Sequence, residues 1–402
     1  MIPLYQSTGV GNDFLRHELE AVKEAGLYRS LRRVEGDQGP TLRLDGHEVI
    51  NFSSNNYLGL ANHPALCAAA KEAIDRYGCG SGASRLISGN MTLHEELESK
   101  IAELKGTEAA LVFNSGFQAN TGILPTLVGE GDVILSDVLN HASIIDGCRL
   151  ARAKITVYGH CDLDQLETGL KDSPPASRKL IVTESLFSMD GDEAPLTEIV
   201  NLAEKHSAMV MVDEAHATGV FEPNGAGLVA SLGLGDRVLV QMGTLGKALG
   251  GFGAYVAGSK ALRELLINRC RSFIFTTSLP PAVMAMAIAA IDLVKKERER
   301  RQALRNNCDV LRAGLRSLGY SLGNSQSQIL PLMIGDAARC MKLSEDLLRH
   351  GVFAQGIRPP TVPPGTSRLR ITLMATHTPE HIEQALKVFK EAARELRIDV
   401  AR

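Results

Sequence analysis

Apolar and polar positions along the chain follow the pattern of a layered α/β protein. Between residues 109 and 257, short apolar runs recur, and segments with helical spacing separate most of them. Several runs are apolar at consecutive positions, as in strands that are covered on both faces. The predicted strands lie at 109–113, 133–135, 155–158, 180–183, 209–213, 238–242 and 254–257. We therefore expect a mostly parallel seven-stranded sheet with helices on both faces.

Smaller units are predicted on either side of this alternation. Residues 14–34 have the spacing of an amphipathic helix, and a hairpin is predicted around Asp45 and Gly46. Residues 281–294 predict a buried helix, and the charged run 295–301 predicts its solvated continuation. We expect three divisions of the chain, which are an N-terminal helical arm over 1–45, a large α/β domain over 46–285 and a small α+β C-terminal domain over 286–402.

The composition argues against several classes of partner. The 402 residues carry a formal net charge of -3, so no overall positive field favours nucleic acid. Aromatic residues make up 4% of the chain and Trp is absent, which argues against stacking platforms for single strands. The seven cysteines are scattered without zinc-site spacing, which predicts free thiols in a reducing compartment and no metal site.

Hydropathy predicts a protein of the cytoplasm. Residues 1–13 lack the basic start and the apolar core of a signal peptide. The longest apolar run, 282–294, contains Asp292 and falls well short of the ~20 residues that a membrane span needs. We therefore expect a cytoplasmic enzyme with no membrane partner.

Lys247 lies in a segment of small residues, 243–251, directly after the apolar run 238–242. Glycines let the backbone turn sharply and let a bulky ligand come close. An amine that reacts with an aldehyde needs such a setting, because partial desolvation favours its neutral, nucleophilic form. The alternative is a surface lysine on a glycine-rich turn, and the segment alone leaves both interpretations open.

Polar residues cluster where the predicted strands end, which is where ligands bind in parallel sheets. Asp213 ends a run that should be buried, and a buried carboxylate needs a cation such as a protonated pyridine nitrogen. His216 follows closely and could reach the phenolic oxygen of the same ring. The turn at Ser115, Gly116 and Phe117 leads into a helix whose positive end suits a phosphate, and an ordinary helix cap by Ser115 is the alternative.

Two arginines alternate with apolar residues near the C-terminus. Arg368 and Arg370 are predicted to point one way, while Leu369 and Ile371 point towards the core. An arginine that rigid neighbours hold in place suits bidentate capture of a carboxylate. The alternative is an exposed strand with salt bridges, which is comparably supported for Arg368 and less so for Arg370.

Eight segments together resemble the α-oxoamine synthase family, which belongs to the fold-type I enzymes that use pyridoxal 5′-phosphate (PLP). They are NFSSNNYLGL, FNSGFQAN, LNHASIIDG, TESLFSMDGD, VDEAHATG, GTLGKALG, FTTSLPP and IRPPTVPPGTSRLRIT. The resemblance runs from about residue 14 to the C-terminus. It implies the PLP-dependent transferase fold of type I, and it implies PLP as the cofactor.

The resemblance also implies a role for each matching residue. Lys247 would bond to the PLP aldehyde, Asp213 would pair with the pyridine nitrogen, and His216 would contact the phenolic oxygen. His141 would stack on the ring, which completes the implied catalytic set. Further cofactor contacts would come from Ser115, Gly116, Phe117, Ser188, Thr244, Thr276 and Thr277, the last two reaching the phosphate of the other subunit. Substrate contacts would come from Arg29, Asn55, Thr361 and Arg370.

The implied reaction joins an amino acid to an acyl thioester with loss of carbon dioxide, in an obligate homodimer. The segment IRPPTVPPGTSRLRIT is most like the family member of biotin biosynthesis, which uses L-alanine and either pimeloyl-CoA or a pimeloyl-carrier protein. Other substrate pairs stay open: glycine with acetyl-CoA, glycine with succinyl-CoA, and serine with a long acyl chain.

Two alternatives come from outside this chemistry. One is a non-catalytic partner subunit, which the joint presence of Lys247, Asp213 and His216 opposes. The other is a nicotinamide reductase, whose glycine signature is absent after the early predicted strands.

Overall fold

The structure, a computed structural model, describes residues 10–221 and 224–395. Residues 1–9 of the predicted arm and 396–402 of the predicted C-terminal domain lie outside this part of the chain. The strands are β1 Val34–Glu35, β2 Thr41–Leu44, β3 His47–Asn51, β4 Ala109–Phe113, β5 Val133–Asp137, β6 Lys154–Tyr158, β7 Lys179–Glu184, β8 Met209–Asp213, β9 Val240–Thr244, β10 Ala254–Gly258, β11 Ile329–Gly335, β12 Val352–Phe353, β13 Gln355–Ile357 and β14 Ser367–Thr372.

Helices connect most of these strands. They are α1 Val10–Glu24, α2 Pro64–Tyr77, α3 Thr92–Lys105, α4 Gly116–Leu127, α5 Ala142–Ala151, α6 Leu163–Lys171, α7 Leu196–Lys205, α8 Leu228–Ser231, α9 Lys260–Arg269, α10 Arg271–Ile274, α11 Pro281–Lys296, α12 Arg298–Ser317, α13 Ala337–Arg349 and α14 Pro379–Glu395. Within the two described stretches, none of the helices has both the length and the apolar character that crossing a membrane requires.

The central sheet has seven strands in the order β4-β10-β9-β8-β7-β5-β6. Strand β10 runs antiparallel to both of its neighbours, while the pairs from β9 to β6 are parallel. Every strand predicted for this sheet is present, although the run 238–242 forms a strand that is shifted to Val240–Thr244. The structure therefore confirms the predicted fold class.

Alternate residues of the central strands enter different hydrophobic cores. In β8, Met211 packs into the core on one face of the sheet, and Val210 and Val212 pack into the core on the other. In β7, Val182 and Ile181 divide in the same way. Because both faces are covered, these strands need apolar residues at consecutive positions, and this explains the unbroken apolar runs of the sequence.

The first helix is shorter than predicted. Helix α1 ends at Glu24, whereas the sequence predicts helix over residues 14–34. Gly26 has a φ of 66°, a left-handed conformation that glycine tolerates best, and the Leu27 N–H closes the helix on the Val22 carbonyl. The predicted hairpin is confirmed, since β2 and β3 pair in antiparallel fashion across Asp45 and Gly46.

The C-terminal part forms an antiparallel sheet in the order β11-β14-β13, with α12, α13 and α14 beside it. Its short strand β12 also pairs in parallel with β3, so this part of the chain is joined to the N-terminal hairpin. The expectation that residues 295–301 are solvated is wrong for Arg301. That side chain is buried, and it donates a hydrogen bond of 2.6 Å to the carbonyl of Val294, which accepts it at the break between α11 and α12. The domain boundaries at residues 45 and 285 stay predictions.

A fully buried ion pair lies directly behind the end of β8. Lys105 donates to the Glu214 carboxylate and to the Ala226 carbonyl, and neither charged side chain is exposed. Burial alone would lower the pKa of Lys105, but the Glu214 carboxylate raises it above its ordinary value. Glu214 also accepts from the Val229 N–H at 2.8 Å, so this pair fixes the turn that follows Asp213.

We expect Lys105→Met to destabilise the protein by about 3–5 kcal/mol, because the substitution leaves the Glu214 carboxylate buried without its cation. Urea unfolding followed by circular dichroism measures this loss. The double variant Lys105→Met/Glu214→Gln should recover part of the stability, since the charge is removed together with its partner. A double variant that is as unstable as the sum of both single variants would contradict the coupling.

Candidate active site

The carboxyl ends of the central strands surround a cavity of about 170 Å³. The lining comes from the ends of β7, β8 and β9 and from the starts of α4 and α5, and it consists of Gly116, Phe117, Asn120, His141, Ser143, Glu184, Asp213, Ala215, His216, Met242, Thr244 and Lys247. The structure thus brings together the four residues predicted to be catalytic.

Asp213 is the buried carboxylate at the end of β8, with only 5% of its surface exposed. Its Oδ2 accepts a hydrogen bond of 3.0 Å from the Asn120 side-chain amide, and its Oδ1 accepts one of 2.9 Å from the Ala215 N–H. Two donors fix the plane of the carboxylate while the group still faces the cavity. A charged group held in this way attracts a cationic ligand atom.

Asp213 is linked to His141 by a chain of hydrogen bonds. Asn120 also donates to the Ser143 hydroxyl at 2.9 Å, and this hydroxyl lies 2.7 Å from Nδ1 of His141. The Ser143 N–H donates to the same Nδ1 at 3.2 Å, so Nδ1 is an acceptor and the proton of the neutral ring lies on Nε2. The chain therefore fixes both the orientation and the tautomer of His141 at the exposed mouth of the cavity.

Three charged or titratable side chains act on the Lys247 amine: Asp213, Glu184 and Arg370. Desolvation lowers the pKa of the Lys247 amine below its ordinary value, Asp213 and Glu184 oppose this shift, and Arg370 adds to it. A lowered pKa increases the fraction of neutral, nucleophilic amine at neutral pH. The structure therefore favours the reactive-amine interpretation of the glycine-rich segment over the surface-lysine interpretation.

His216 is held in its neutral form by a buried network. Burial lowers the pKa of the ring well below its ordinary value, with further lowering from Lys247 and Arg370. His216 Nδ1 lies 2.7 Å from the Tyr57 hydroxyl, and that hydroxyl also bonds Asn55 at 3.1 Å. The segment around Asn55 and Tyr57 thus reaches the strand ends from outside the central sheet.

The two arginines of β14 have different surroundings. Arg370 donates to the Ser188 carbonyl at 2.5 Å and to the Asn55 side chain at 3.2 Å, beside the network of His216. Arg368 is buried and pairs with Asp190, so it is occupied by an internal ion pair. Both arginines are buried, which rules out the exposed-strand alternative and leaves Arg370 as the arginine nearest the cavity.

One end of the cavity has the features of a phosphate cradle. A Cβ placed on Gly116 would lie 2.9 Å from Cγ2 of Thr244, so only glycine lets these two segments approach so closely. The buried Thr244 hydroxyl meets no hydrogen-bond partner among the described residues. Ser115 caps α4 by accepting from the Gln118 N–H at 3.1 Å, which is the alternative given for it above. The free N–H groups of the first helical turn and the unpaired Thr244 hydroxyl fit a phosphate.

Several predicted residues lie outside the cavity lining. Thr276 and Thr277 both accept hydrogen bonds from the Asn114 side chain, at 3.2 and 2.8 Å, on the phosphate side of the cavity. Arg29 is exposed in the irregular segment after α1, and not in the helix predicted for it. Thr361 is exposed, and the Arg358 side chain donates to the Tyr28 carbonyl at 3.1 Å, which places Arg29 and Thr361 on the same side of the protein.

Sequence reasoning missed three residues that organise the site: Tyr57, Asn120 and Glu184. Tyr57 and Asn120 lie inside the segments NNYLGL and FNSGFQAN, but a polar residue in a turn or a helix gives no sign of a partner far away in the sequence. Glu184 follows an apolar run at a strand end, as Asp213 does, and this shared position was the available signal.

A group of possible metal ligands among the described residues consists of Asp137, His160 and Cys161, which lie outside the cavity lining. His160 is bonded to Asp137 at 3.1 Å and to Asp192 at 2.8 Å, one carboxylate on each ring nitrogen. Burial would lower the pKa of His160, but these two carboxylates raise it to about 12. His160 is therefore protonated, and its two hydrogen bonds connect Asp192 in the loop after β7 to Asp137 in β5.

Comparisons with known proteins agree with this geometry. The aminotransferase class I and II family matches residues 47–389. An 8-amino-7-oxononanoate synthase from Geobacter sulfurreducens is 53% identical over 383 residues, which are 95% of this chain and 98% of that protein.

Two solved structures are also similar. A serine palmitoyltransferase from S. paucimobilis with PLP and myriocin bound has a TM-score of 0.91 at 35% identity, over 98% of this chain and 100% of that one. An 8-amino-7-oxononanoate synthase from Francisella tularensis has a TM-score of 0.75 at 29% identity, over 87% of this chain and 99% of that one. The chain therefore belongs to the aminotransferase class I and II family and, within it, to the α-oxoamine synthases, which are PLP-dependent enzymes of fold type I.

Proposed function

We propose that this protein condenses L-alanine with a pimeloyl thioester, giving 8-amino-7-oxononanoate, carbon dioxide and a free thiol. The observation that carries the proposal is the presence of the Lys247 amine, at a lowered pKa, in one cavity with the ordered Asp213 carboxylate. The 53% identity to an 8-amino-7-oxononanoate synthase supports this substrate pair within the family.

The residues present fit PLP at both ends of the cavity. Asp213 would pair with the pyridine nitrogen, and His216 would hold the phenolic side. Ser188 lies outside the cavity lining, next to it through the bond from Arg370 to its carbonyl, and would also contact the phenolic side. The start of α4 at Ser115, Gly116 and Phe117, together with Thr244, would hold the phosphate, and the unpaired Thr244 hydroxyl supports this role. When bound, PLP supplies an aldehyde that bonds to amines and a ring that stores the electron pair released at the α-carbon of the amino acid.

Lys247 would move the proton at the α-carbon of alanine. The transfer needs a neutral amine, and burial in this cavity lowers the pKa of Lys247 in the required direction. The same amine, once protonated, can return the proton to the product. Asp213 would place a carboxylate beside the ring nitrogen, where it would favour the protonated form of that nitrogen.

Arg370 and Asn55 would bind the carboxylate of alanine. Their contact at 3.2 Å places a cationic donor and an amide side by side, and the Ser188 carbonyl orients the guanidinium at 2.5 Å. Arg29 and Thr361, on the same side of the protein, would help to position the acyl thioester. The thioester can arrive on coenzyme A or on a carrier protein.

His141 would polarise the carbonyl oxygen of the acyl group. Because Nδ1 accepts from the Ser143 N–H, the proton of the neutral ring is on Nε2, which can donate to an oxygen that gains negative charge. The chain from Asp213 through Asn120 and Ser143 keeps the ring in place while this charge develops.

A second copy of the chain would complete the site. Large apolar side chains are exposed at Phe117, which lines the cavity, and at Leu86, Ile87, Phe252 and Phe275. Large exposed apolar side chains are typical of an association surface. We infer a homodimer in which Thr276 and Thr277 of one subunit reach the phosphate held by the other.

L-Serine with a long-chain acyl-CoA is the second candidate pair. It is favoured by the higher TM-score of the serine palmitoyltransferase, 0.91, over that of the F. tularensis 8-amino-7-oxononanoate synthase, 0.75. The identities point the other way, since the serine palmitoyltransferase is 35% identical and the G. sulfurreducens synthase is 53% identical.

We expect thiol release from pimeloyl-CoA in the presence of L-alanine, and we expect Lys247→Ala to lower its rate at least about a thousandfold by removing the amine that moves the proton. A thiol-reactive dye measures the release. Parallel reactions contain glycine with acetyl-CoA and L-serine with palmitoyl-CoA. Release with only one of these pairs would keep the chemistry and replace the substrates, and a fully active Lys247→Ala variant would refute the role of the lysine.

A shared site predicts complementation between two inactive variants. Lys247→Ala and the double variant Thr276→Ala/Thr277→Ala should each lose activity at limiting PLP, the second through a weakened phosphate contact. Co-expression in equal amounts should restore about a quarter of the wild-type rate, because half of the dimers are mixed and each mixed dimer has one intact site. If mixed dimers form but no activity returns, each site is built from a single subunit.

A further inference from the structure

Glu184 is a second acidic residue in the same cavity as Asp213. It ends β7, and it lies directly opposite Asp213 of β8 in the register of the two parallel strands. Both side chains line the cavity, and only 3% of the surface of Glu184 is exposed. The function proposed above gives Glu184 no role.

One oxygen of Glu184 is available to a ligand. Its Oε1 is buried and meets no hydrogen-bond partner among the described residues. Leaving a buried polar atom without a partner is costly, and an oxygen of this kind that lines a cavity fits a hydrogen bond to a ligand. The adjoining space is the cavity that also contains Lys247 and Asp213.

The two neighbouring carboxyl groups cannot both be charged at low cost. Asp213 has two hydrogen-bond donors, Asn120 and the Ala215 N–H, and these stabilise its ionised form. Burial raises the pKa of Glu184 to about 8, with a further increase from Asp213, while Lys247 and the His141 backbone oppose it and Asp137 adds to it. Glu184 is therefore the member of the pair that keeps its proton at neutral pH.

We propose that Glu184 is a cofactor-binding residue that acts as a neutral acid, donating a hydrogen bond through its unpartnered oxygen to an acceptor of the bound PLP. This inference rests on the proposed PLP site. The uncharged carboxyl supplies a donor, and it leaves a single negative charge, that of Asp213, beside the ring nitrogen. An ionised Glu184 would instead have no proton to donate and would repel the anionic groups of PLP.

The proposal makes PLP affinity depend on the protonation of Glu184. Below pH 8 the acid is already protonated in the free protein, so binding involves no proton uptake by this group. Above pH 8 a proton must be taken up when PLP binds, so the affinity falls as the pH rises through the pKa of the free protein. Glu184→Gln keeps a neutral donor at every pH and lacks this dependence.

The test measures the PLP dissociation constant of the apo forms of wild type and Glu184→Gln at pH 7 and pH 9, from the absorbance of the lysine-bound cofactor. We expect nearly equal constants at pH 7. At pH 9 the wild-type constant should exceed that of the variant by about tenfold, as linkage predicts for a group with a pKa near 8. The ratio of the two constants cancels the titration of PLP itself, which both proteins share. An ionised Glu184 also raises the pKa of Lys247 and so reduces the fraction of reactive amine, which changes the ratio in the same direction.

Two further variants make the result specific. Glu184→Leu removes the donor and should bind PLP at least several-fold more weakly at pH 7, while thermal unfolding checks that it is folded. Glu193→Gln changes a glutamate outside the cavity lining and should match wild type at both pH values.

The possible outcomes separate this inference from the proposed function. If wild type does not form the lysine-bound cofactor, the proposed function fails. If wild type binds PLP and the ratio of its dissociation constant to that of Glu184→Gln is the same at pH 7 and pH 9, the proposal that Glu184 acts as a neutral acid is refuted. Much weaker binding by Glu184→Gln at pH 7 would also refute it, since the site would then need a charged carboxylate, and wild-type affinity in Glu184→Leu would show that the donor is not used.

Discussion

The burial of one carboxylate, that of Asp213, is the constraint on which the site depends. An ionised acid at the end of a strand that is covered on both faces needs donors, and Asn120 and the Ala215 N–H supply them. Asn120 extends the contact through Ser143 to His141, so the ring at the cavity mouth is oriented by the same group. The charge of Asp213 also opposes the lowering of the Lys247 pKa and raises the pKa of Glu184. The orientation of the His141 ring and the pKa values of Lys247 and Glu184 thus all depend on one buried carboxylate.

The surrounding fold supports this charge from two directions. Behind it, the Lys105–Glu214 pair fixes the turn that begins at the residue after Asp213. In front of it, the segment with Tyr57 and the strand with Arg370 meet at His216, although they are 313 positions apart along the chain. Strand β12 pairs with β3, which brings the C-terminal part of the chain to the N-terminal hairpin and therefore to the cavity. The small sheet is part of the site for this reason.

The arrangement suits chemistry in which a proton leaves and returns at one carbon atom. Lys247 has a lowered pKa, His216 is kept neutral by burial, and Arg370 stays charged beside the Ser188 carbonyl. A base, a neutral ring and a cation are thereby held at fixed places around one cavity. The family and the 53% identity to an 8-amino-7-oxononanoate synthase direct this chemistry towards an amino acid and an acyl thioester.

The sequence by itself determined the central sheet, because strands covered on both faces must be apolar at consecutive positions. The helices between them must carry apolar residues along the face that packs on the sheet. It also predicted that Lys247, Asp213 and His216 lie at the ends of strands, since polar residues that follow buried apolar runs can be recognised without knowledge of tertiary contacts. Only the tertiary structure decided the partners: that Tyr57 bonds His216, that Arg368 is occupied by Asp190 while Arg370 reaches the site, and that Glu184 faces Asp213. Helix α1 ends at Glu24 although its apolar spacing continues, because Gly26 turns the chain into a left-handed conformation. Spacing along a chain specifies local structure, whereas the pKa and the partner of a buried group depend on residues that only folding brings into contact.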